Sequence, residues 1–284
     1  MKILLIYTNK DRHLAPPPIG LSMIAESVAA SHEVKFLDFM FTPEPEQTAL
    51  RLIGEFQPEV IGLSIRDLDN QDSRKPQNPI AELKPFVLQI RQISTAFIVL
   101  GGTAFTTFPA EMLEFLGADY GIAGQGEKVF PRLIAGLQAR AVDEHLPGLV
   151  FRQDDRIQLN PPLLEGYPEC FTPQHSYYDP RPYSRTYWPG LVLIKTGCPF
   201  PCIYCDPHVT SGRRFRFRDP AVIVAELEYQ VQKHHTRVFH LSDPCFNVPL
   251  DHAKSVLEAI IRSQLRIVCM TTLRPAPLMR NCFR

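Results

Sequence analysis

Between residues 2 and 137 the chain alternates short apolar runs with stretches of helical period. The runs are residues 2–7, 34–38, 59–65, 97–101 and 119–123; the helical stretches are about 19–30, 46–56, 80–93, 109–116 and 127–137. KILLIY at 2–7 shows no period-2 alternation, as expected of a strand covered on both faces. Strands joined in this way by crossover helices are parallel. The pattern therefore predicts an open, doubly wound α/β sheet of about five strands, with ligands outside the carboxyl ends of the strands.

Those ends carry the polar residues and glycines. Thr8, Asn9 and Asp11 to His13 follow the first strand; Ser64, Arg66, Asp67, Asp69 and Asn70 close the third; Gly101, Gly102 and Thr103 close the fourth; Gly124, Gln125, Gly126 and Glu127 follow the fifth. Glycine there lets backbone N–H groups approach a ligand, although the same loops need glycine simply to turn. No G-x-G-x-x-G follows the first strand, so a dinucleotide site is not indicated.

Composition narrows the class further. The 284 residues carry 30 Lys and Arg against 30 Asp and Glu, which removes the simplest charge argument for nucleic acid or an anionic membrane. No run approaches the ~18 apolar residues of a membrane span, and MKILLIYTNK is not a signal segment. The cytoplasm is the expected compartment, where the seven cysteines read as metal-binding, catalytic or buried thiols before disulfides.

The phrases PPPIGLSMIAESVAASHEVKFLD, EVIGLSIRDLDNQD, IVLGGTAFTTFPAEML and GADYGIAGQGEKVFPRLI resemble the cobalamin-binding domain at the N-terminus of many radical S-adenosylmethionine proteins. The resemblance covers about residues 1–140. In the wider superfamily a D-x-H-x-x-G loop after the first strand gives the cobalt a histidine. Here Asp11-Arg12-His13-Leu14-Ala15-Pro16 keeps the D-x-H and loses the glycine. The resemblance leaves two readings open, His13 as cobalt ligand or no protein ligand at all. In the second, the Ser64 to Asn70 loop, including Arg66 and Asp69, and the Gly101, Gly102, Thr103 turn hold the ring, with Gly126 and Glu127 beside it.

Residues 141–189 change character. Prolines, among the chain's 27, interrupt any period, and a small hairpin over Asp154 and Asp155 is the one regular feature expected. Tyr167, Tyr177, Tyr178, Tyr183, Tyr187 and Trp188 make this connector aromatic-rich, either as packing between domains or as the lining of a substrate path.

Residues 190–195, GLVLIK, form an apolar strand running into Cys198, Cys202 and Cys205. Three thiolates at C-x3-C-x2-C, on a loop stiffened by Pro199 and Pro201, suit one iron–sulfur cube with its fourth iron left open. A structural zinc site is the alternative, with His208 as fourth ligand. The strand before the loop, Tyr204 before the last cysteine and the βα pattern that follows favour the cluster. C-x3-C-x-aromatic-C is similar to the hallmark of radical S-adenosylmethionine enzymes. That resemblance implies a [4Fe–4S] cluster on Cys198, Cys202 and Cys205, an open iron that chelates S-adenosylmethionine beside Tyr204, and reductive cleavage to a 5′-deoxyadenosyl radical.

Downstream, Asp219 and Pro220 read as N-cap and N1 of a helix over about 222–233. Strand 238–241 ends in Ser242-Asp243-Pro244-Cys245-Phe246-Asn247, like the second barrel strand of cobalamin-dependent members, with Asp243 either at the cofactors or in a cap or turn. Helix 251–262 and strand 266–271 follow. Arg213, Arg214, Arg216 and Arg218 alternate with Phe215 and Phe217, which reads as an exposed strand face rather than a single-strand nucleic-acid grip.

The family barrel has about six βα units, and residues 190–284 supply about three strands and two helices. A partial barrel is therefore expected, from a truncated or frame-shifted product or from one part of a split enzyme that a second chain completes. The resemblance implies a methyltransferase-like enzyme acting on an unactivated centre of a small-molecule or natural-product-like substrate, with an electron donor such as flavodoxin or ferredoxin. A cobalamin- and Fe–S-binding module without catalysis, and an RNA-modifying radical enzyme, are the rival readings. Cys170, Cys245, Cys269 and Cys282 are left as bystanders.

Overall fold

A computed structural model describes residues 1–12, 15–70, 72–162, 164, 176–186 and 190–274. It divides into two compact units, the first built mainly on Met1–Arg12 and Pro18–Leu164, the second mainly on residues from Asp179 onward.

The first unit runs β1 (Lys2–Tyr7), α1 (Ile19–Ala29), β2 (Glu33–Asp38), α2 (Pro45–Phe56), β3 (Val60–Ser64), α3 (Pro79–Ile93), β4 (Phe97–Gly101), α4 (Thr103–Thr107), α5 (Pro109–Leu116), β5 (Tyr120–Ile122), α6 (Val129–Ala139), β6 (Leu149–Gln153) and β7 (Arg156–Leu159). All seven strands form one sheet in the order β2-β1-β3-β4-β5-β6-β7. The first five are parallel, with Ile3 opposite both Val34 and Val60. Strand order reverses between β1 and β3, and a doubly wound sheet opens its ligand crevice at such a reversal.

Burial explains the unbroken apolar runs. Leu4, Ile6, Ile61, Leu63, Ile98 and Leu100 pack against Ile53 and Phe56 of α2, Phe86, Val87 and Ile90 of α3, and Leu113 and Leu116 of α5. Helix starts follow local chemistry: Pro45, Pro79 and Pro109 occupy the first turns, and the Asn78 side chain accepts from the Ala81 N–H at 3.0 Å. Gly117, left-handed at φ 69°, closes α5.

The sheet has two strands more than the five expected. The hairpin over Asp154 and Asp155, both left-handed (φ 47° and 60°), is the one predicted for the connector, and β6 pairs antiparallel with β5. Leu149 and Val150 are fully buried there, so the hairpin covers an edge that β5 would otherwise expose. The first compact unit accordingly extends past residue 140.

The second unit runs β8 (Leu191–Leu193), β9 (Lys195–Thr196), α7 (Pro207–Thr210), β10 (Arg216–Phe217), α8 (Pro220–His234), β11 (Val238–Ser242), α9 (Leu250–Arg262) and β12 (Val268–Thr271). β12, β11 and β8 form a parallel sheet in that order, covered by a core that includes Val192, Ile194, Ile223, Leu227, Phe239, Leu241 and Val256. The Asp219 carboxylate caps α8 by accepting from the Ala221 N–H at 2.7 Å, with Pro220 at N1 as the sequence predicts. Three parallel strands and two crossover helices match the βα count read from the sequence.

Two expectations are corrected. Residues 190–195 do not form one strand: β8 pairs with β11, and the chain then turns so that β9 pairs antiparallel with β10. The alternating arginines are not a uniformly exposed face. Arg218 turns inward to pair with Glu226 of α8 at 2.7 Å, and only Arg216 and Phe217 are in a strand.

Of the connector aromatics, Tyr178 is buried in the first unit, where Tyr177 also stacks 5.9 Å from Phe36. Tyr183 is buried in the second. Tyr167, Tyr187 and Trp188 lie outside the described residues, as do His13, Cys170 and Cys282. No helix among the described residues is long and apolar enough to cross a membrane.

Candidate functional site

At the carboxyl end of the first sheet, the loops after β1, β3 and β4 are tied to one another by their own hydrogen bonds. The Thr8 N–H and hydroxyl both donate to the Ser64 carbonyl, at 3.2 and 2.9 Å. The Ile65 N–H donates to the Gly101 carbonyl at 2.8 Å, and the Thr103 hydroxyl donates to the Arg66 carbonyl at 2.7 Å. The structure thus brings Ser64, Arg66, Gly101, Gly102 and Thr103 together at one end of the sheet.

Gly102 is needed by the chain itself: its φ is +100°, and a Cβ there would stand 2.3 Å from the Ile65 carbonyl oxygen. Gly126 is crowded only by the movable end of the Ile24 side chain, at 2.8 Å. Gly101 differs, because its Cβ direction meets only the Ile122 carbonyl oxygen at 3.9 Å, leaving room above β4. Arg66 pairs with Asp67 at 2.7 Å, while burial still pushes the Asp67 carboxyl above the usual carboxylate range. Asn70 staples its own loop, donating to the Lys75 carbonyl at 2.8 Å and accepting from the Gln77 N–H at 3.0 Å. Asp69 is exposed and Glu127 half-buried. His13, the predicted cobalt ligand, lies outside the described residues.

In the second unit the cysteine loop leaves β9 through Gly197, left-handed at φ +79°, where a Cβ would stand 2.0 Å from the Arg214 carbonyl oxygen. The Cys198 N–H donates to the Gly212 carbonyl at 2.9 Å, and the Cys205 N–H to the Cys202 carbonyl at 3.2 Å. Cys198 is buried, Cys202 half-buried and Cys205 exposed; Tyr204, 87% exposed, projects from the loop. Among the described residues no three His, Cys, Asp or Glu side chains stand close enough to enclose a single metal ion, so His208 completes no tetrahedral zinc site there. The thiols nonetheless feel one another. Burial pushes the Cys205 thiol up, followed by Asp206 and then Cys202 and Cys198. Three thiols on one short loop have the donor chemistry of an iron–sulfur ligand set.

Two buried ion pairs beneath this loop were not anticipated. Lys195, 1% exposed, donates to Asp243 Oδ2 at 2.8 Å and to the carbonyls of Cys245 and Phe246 at 2.8 and 3.2 Å. Asp243 thereby serves as the partner of a buried lysine; burial raises its carboxyl, and Lys195 opposes the rise. Arg218 pairs with Glu226 and donates to the Leu193 carbonyl at 2.7 Å. A buried charge that loses its partner is strongly destabilising, so each pair fixes the two segments it joins. Glu226 had a legible signal, since Ile223, Glu226, Leu227 and Gln230 form the buried stripe of α8 at helical spacing. Lys195 had a fainter one, a cation ending an apolar run.

Comparison with known proteins gives the following likenesses. Residues 11–134 match the B12 binding domain family model. That stretch is similar to a B12-binding domain. Beyond it, the chain is 24% identical over 302 residues to the tryptophan 2-C-methyltransferase of Streptomyces laurentii, covering 87% of this chain and 50% of that protein. It is 24% identical over 274 residues to an anaerobic magnesium-protoporphyrin IX monomethyl ester cyclase of Synechocystis, covering 93% and 52%. Among solved structures, the radical S-adenosylmethionine methyltransferase TsrM of Kitasatospora setae superposes with a TM-score of 0.84 at 24% identity, over 98% of this chain and 55% of that one. The chain spans about half the length of the curated relatives it matches. The chain thus shares the fold of the TsrM methyltransferase, and its residues 11–134 are similar to a B12-binding domain.

Proposed function

We propose that this chain is the cobalamin- and cluster-binding portion of a cobalamin-dependent radical S-adenosylmethionine enzyme, most simply a methyltransferase. The observation that carries the reading is the C-x3-C-x2-C loop that follows the parallel strand β8 by way of the short antiparallel strand β9, in the same chain as a match to the B12 binding domain. Cys198, Cys202 and Cys205 would hold a [4Fe–4S] cluster. Ser64, Arg66, Gly101 and Thr103 would line the cobalamin surface, where Arg66 offers a guanidinium to the corrin's amide oxygens and Gly101 leaves space. When bound, these groups supply one-electron cleavage of S-adenosylmethionine and methyl transfer through cobalt.

The chain's own contribution is orientation. Gly197 and the Cys198 to Gly212 bond fix where the loop leaves the sheet, and Cys198 is held buried while Cys205 stays open to an incoming cube. A small-molecule substrate accords with the relatives, one of which is a tryptophan methyltransferase and another a porphyrin-ester cyclase.

Anaerobic reconstitution with iron and sulfide tests the reading. The full chain is expected to take up about four irons and four sulfides with a broad brown absorbance. Cys202→Ala is expected to abolish most of that absorbance while hydroxocobalamin binding persists. A colourless zinc-loaded protein would overturn the cluster assignment.

A further inference from the structure

The loop after β11 does more than partner Lys195. Residues 243–247 wrap the buried ammonium with one carboxylate oxygen and two carbonyls, while the Phe215 and Phe246 rings stand 5.4 and 5.8 Å from it. The same segment grips the strand end beyond β12. The buried Asn247 side chain donates to the Arg274 carbonyl at 3.0 Å and accepts from the Arg274 N–H at 2.8 Å, and the Phe246 N–H donates to the Thr272 carbonyl at 3.0 Å. Arg274 is held at its backbone on both sides, which leaves its side chain free to reach out. Its guanidinium lies 4.0 Å from the centre of the Phe200 ring, between the two prolines of the cysteine loop.

These contacts close a circuit. Lys195 fixes the root of the cysteine loop, three residues before Cys198, to the loop 243–247; Asn247 fixes that loop to Arg274; Arg274 returns to Phe200 in the middle of the cysteine loop. The loop tip has no comparable hold, since Ile203 and Tyr204 project into solvent. An arginine stacked on an aromatic ring is a favourable contact that tolerates partial exposure, and a backbone locked by a paired amide makes it directional.

We propose that Arg274 is a positioning residue for the cysteine loop: it stacks on Phe200 and, through Asn247 and the segment around Lys195, sets the loop against its own root. The inference rests on the cluster reading for its purpose, though not for its test. Hydrogen exchange followed by mass spectrometry on the full chain without cluster reads it directly. Arg274→Ala is expected to speed exchange of the two hydrogen-bonded amides of the loop, those of Cys198 and Cys205, at least tenfold, with peptides from α8 and β11 unchanged. Arg274→Lys, which keeps a cation over the ring, is expected to restore much of the protection. Phe200→Leu is expected to reproduce the Arg274→Ala effect and to add nothing to it in the double variant.

In reconstituted protein, Arg274→Ala is expected to alter the line shape of the reduced cluster's electron paramagnetic resonance signal, and Arg274→Lys to leave it closer to the parent. Unchanged exchange in Arg274→Ala, or acceleration spread over the whole second unit, would overturn the proposal. Were the parent chain to form no cluster at all, the cluster reading would fail while the exchange data still judged the clamp.

Discussion

A Cβ at Gly102 would stand 2.3 Å from the Ile65 carbonyl oxygen, on a backbone whose φ of +100° disfavours L side chains. Neither partner is a flexible side-chain end that can swing aside, because Ile65 is itself bonded into the sheet through the Gly101 carbonyl at 2.8 Å. Gly102→Ala is therefore expected to destabilise the first unit by about 3 kcal/mol or more, measured by urea unfolding. The penalty falls on the chain rather than on a ligand, so cobalamin affinity should fall only as far as folding does. Gly101→Ala is the informative contrast, since its Cβ meets no close atom. Residue identity alone made these neighbouring glycines look alike as ligand contacts; the φ angle and the distance to Ile65 separate them. The same limit applies to Asn70, which the sequence marks as polar and loop-borne but which spends its amide on Lys75 and Gln77.

At the scale of elements, periodicity carried most of the information. Helix α5 falls where its Pro109 start and Gly117 stop place it, and the five parallel strands lie where apolar runs without alternation occur. The Asp219 cap of α8 was equally plain. Asp219→Ala is expected to lower the stability of the second unit by about 1 kcal/mol in thermal or denaturant unfolding, leaving the cysteine loop's exchange pattern intact. What periodicity missed has a common physical cause, the dependence of an element on a distant partner. α4 is a single short helix after a glycine whose conformation is set by Ile65, and β6 and β7 join the first sheet because β5 offers an edge. The apolar run at 190–195 breaks because Lys195 must reach Asp243, forty-eight residues later, and no local rule announces that pairing.

Across the whole molecule, one unit carries a match to the B12 binding domain and the proposed ligand-facing loops after parallel strands, and the other carries a three-cysteine loop after the short antiparallel strand β9. The cysteine spacing was the most legible functional signal because all three residues lie in one short loop. The proposed cobalamin surface was legible only as a set of loops, since its residues follow separate strands. The buried pairs Lys195–Asp243 and Arg218–Glu226 give the cysteine loop's base a rigidity that sequence does not display. Side-chain exposure is 0% at both Lys195 and Asp243, so that pair is shielded from solvent.

The central claim is that Cys198, Cys202 and Cys205 leave one iron of a cube open to S-adenosylmethionine. It is tested most directly by adding S-adenosylmethionine to the reconstituted, dithionite-reduced full chain and recording its electron paramagnetic resonance spectrum. The account predicts a reduced [4Fe–4S] signal whose g-values shift on addition and which is missing from Cys202→Ala. A cluster signal that S-adenosylmethionine leaves unmoved, or one that survives Cys202→Ala, would contradict it.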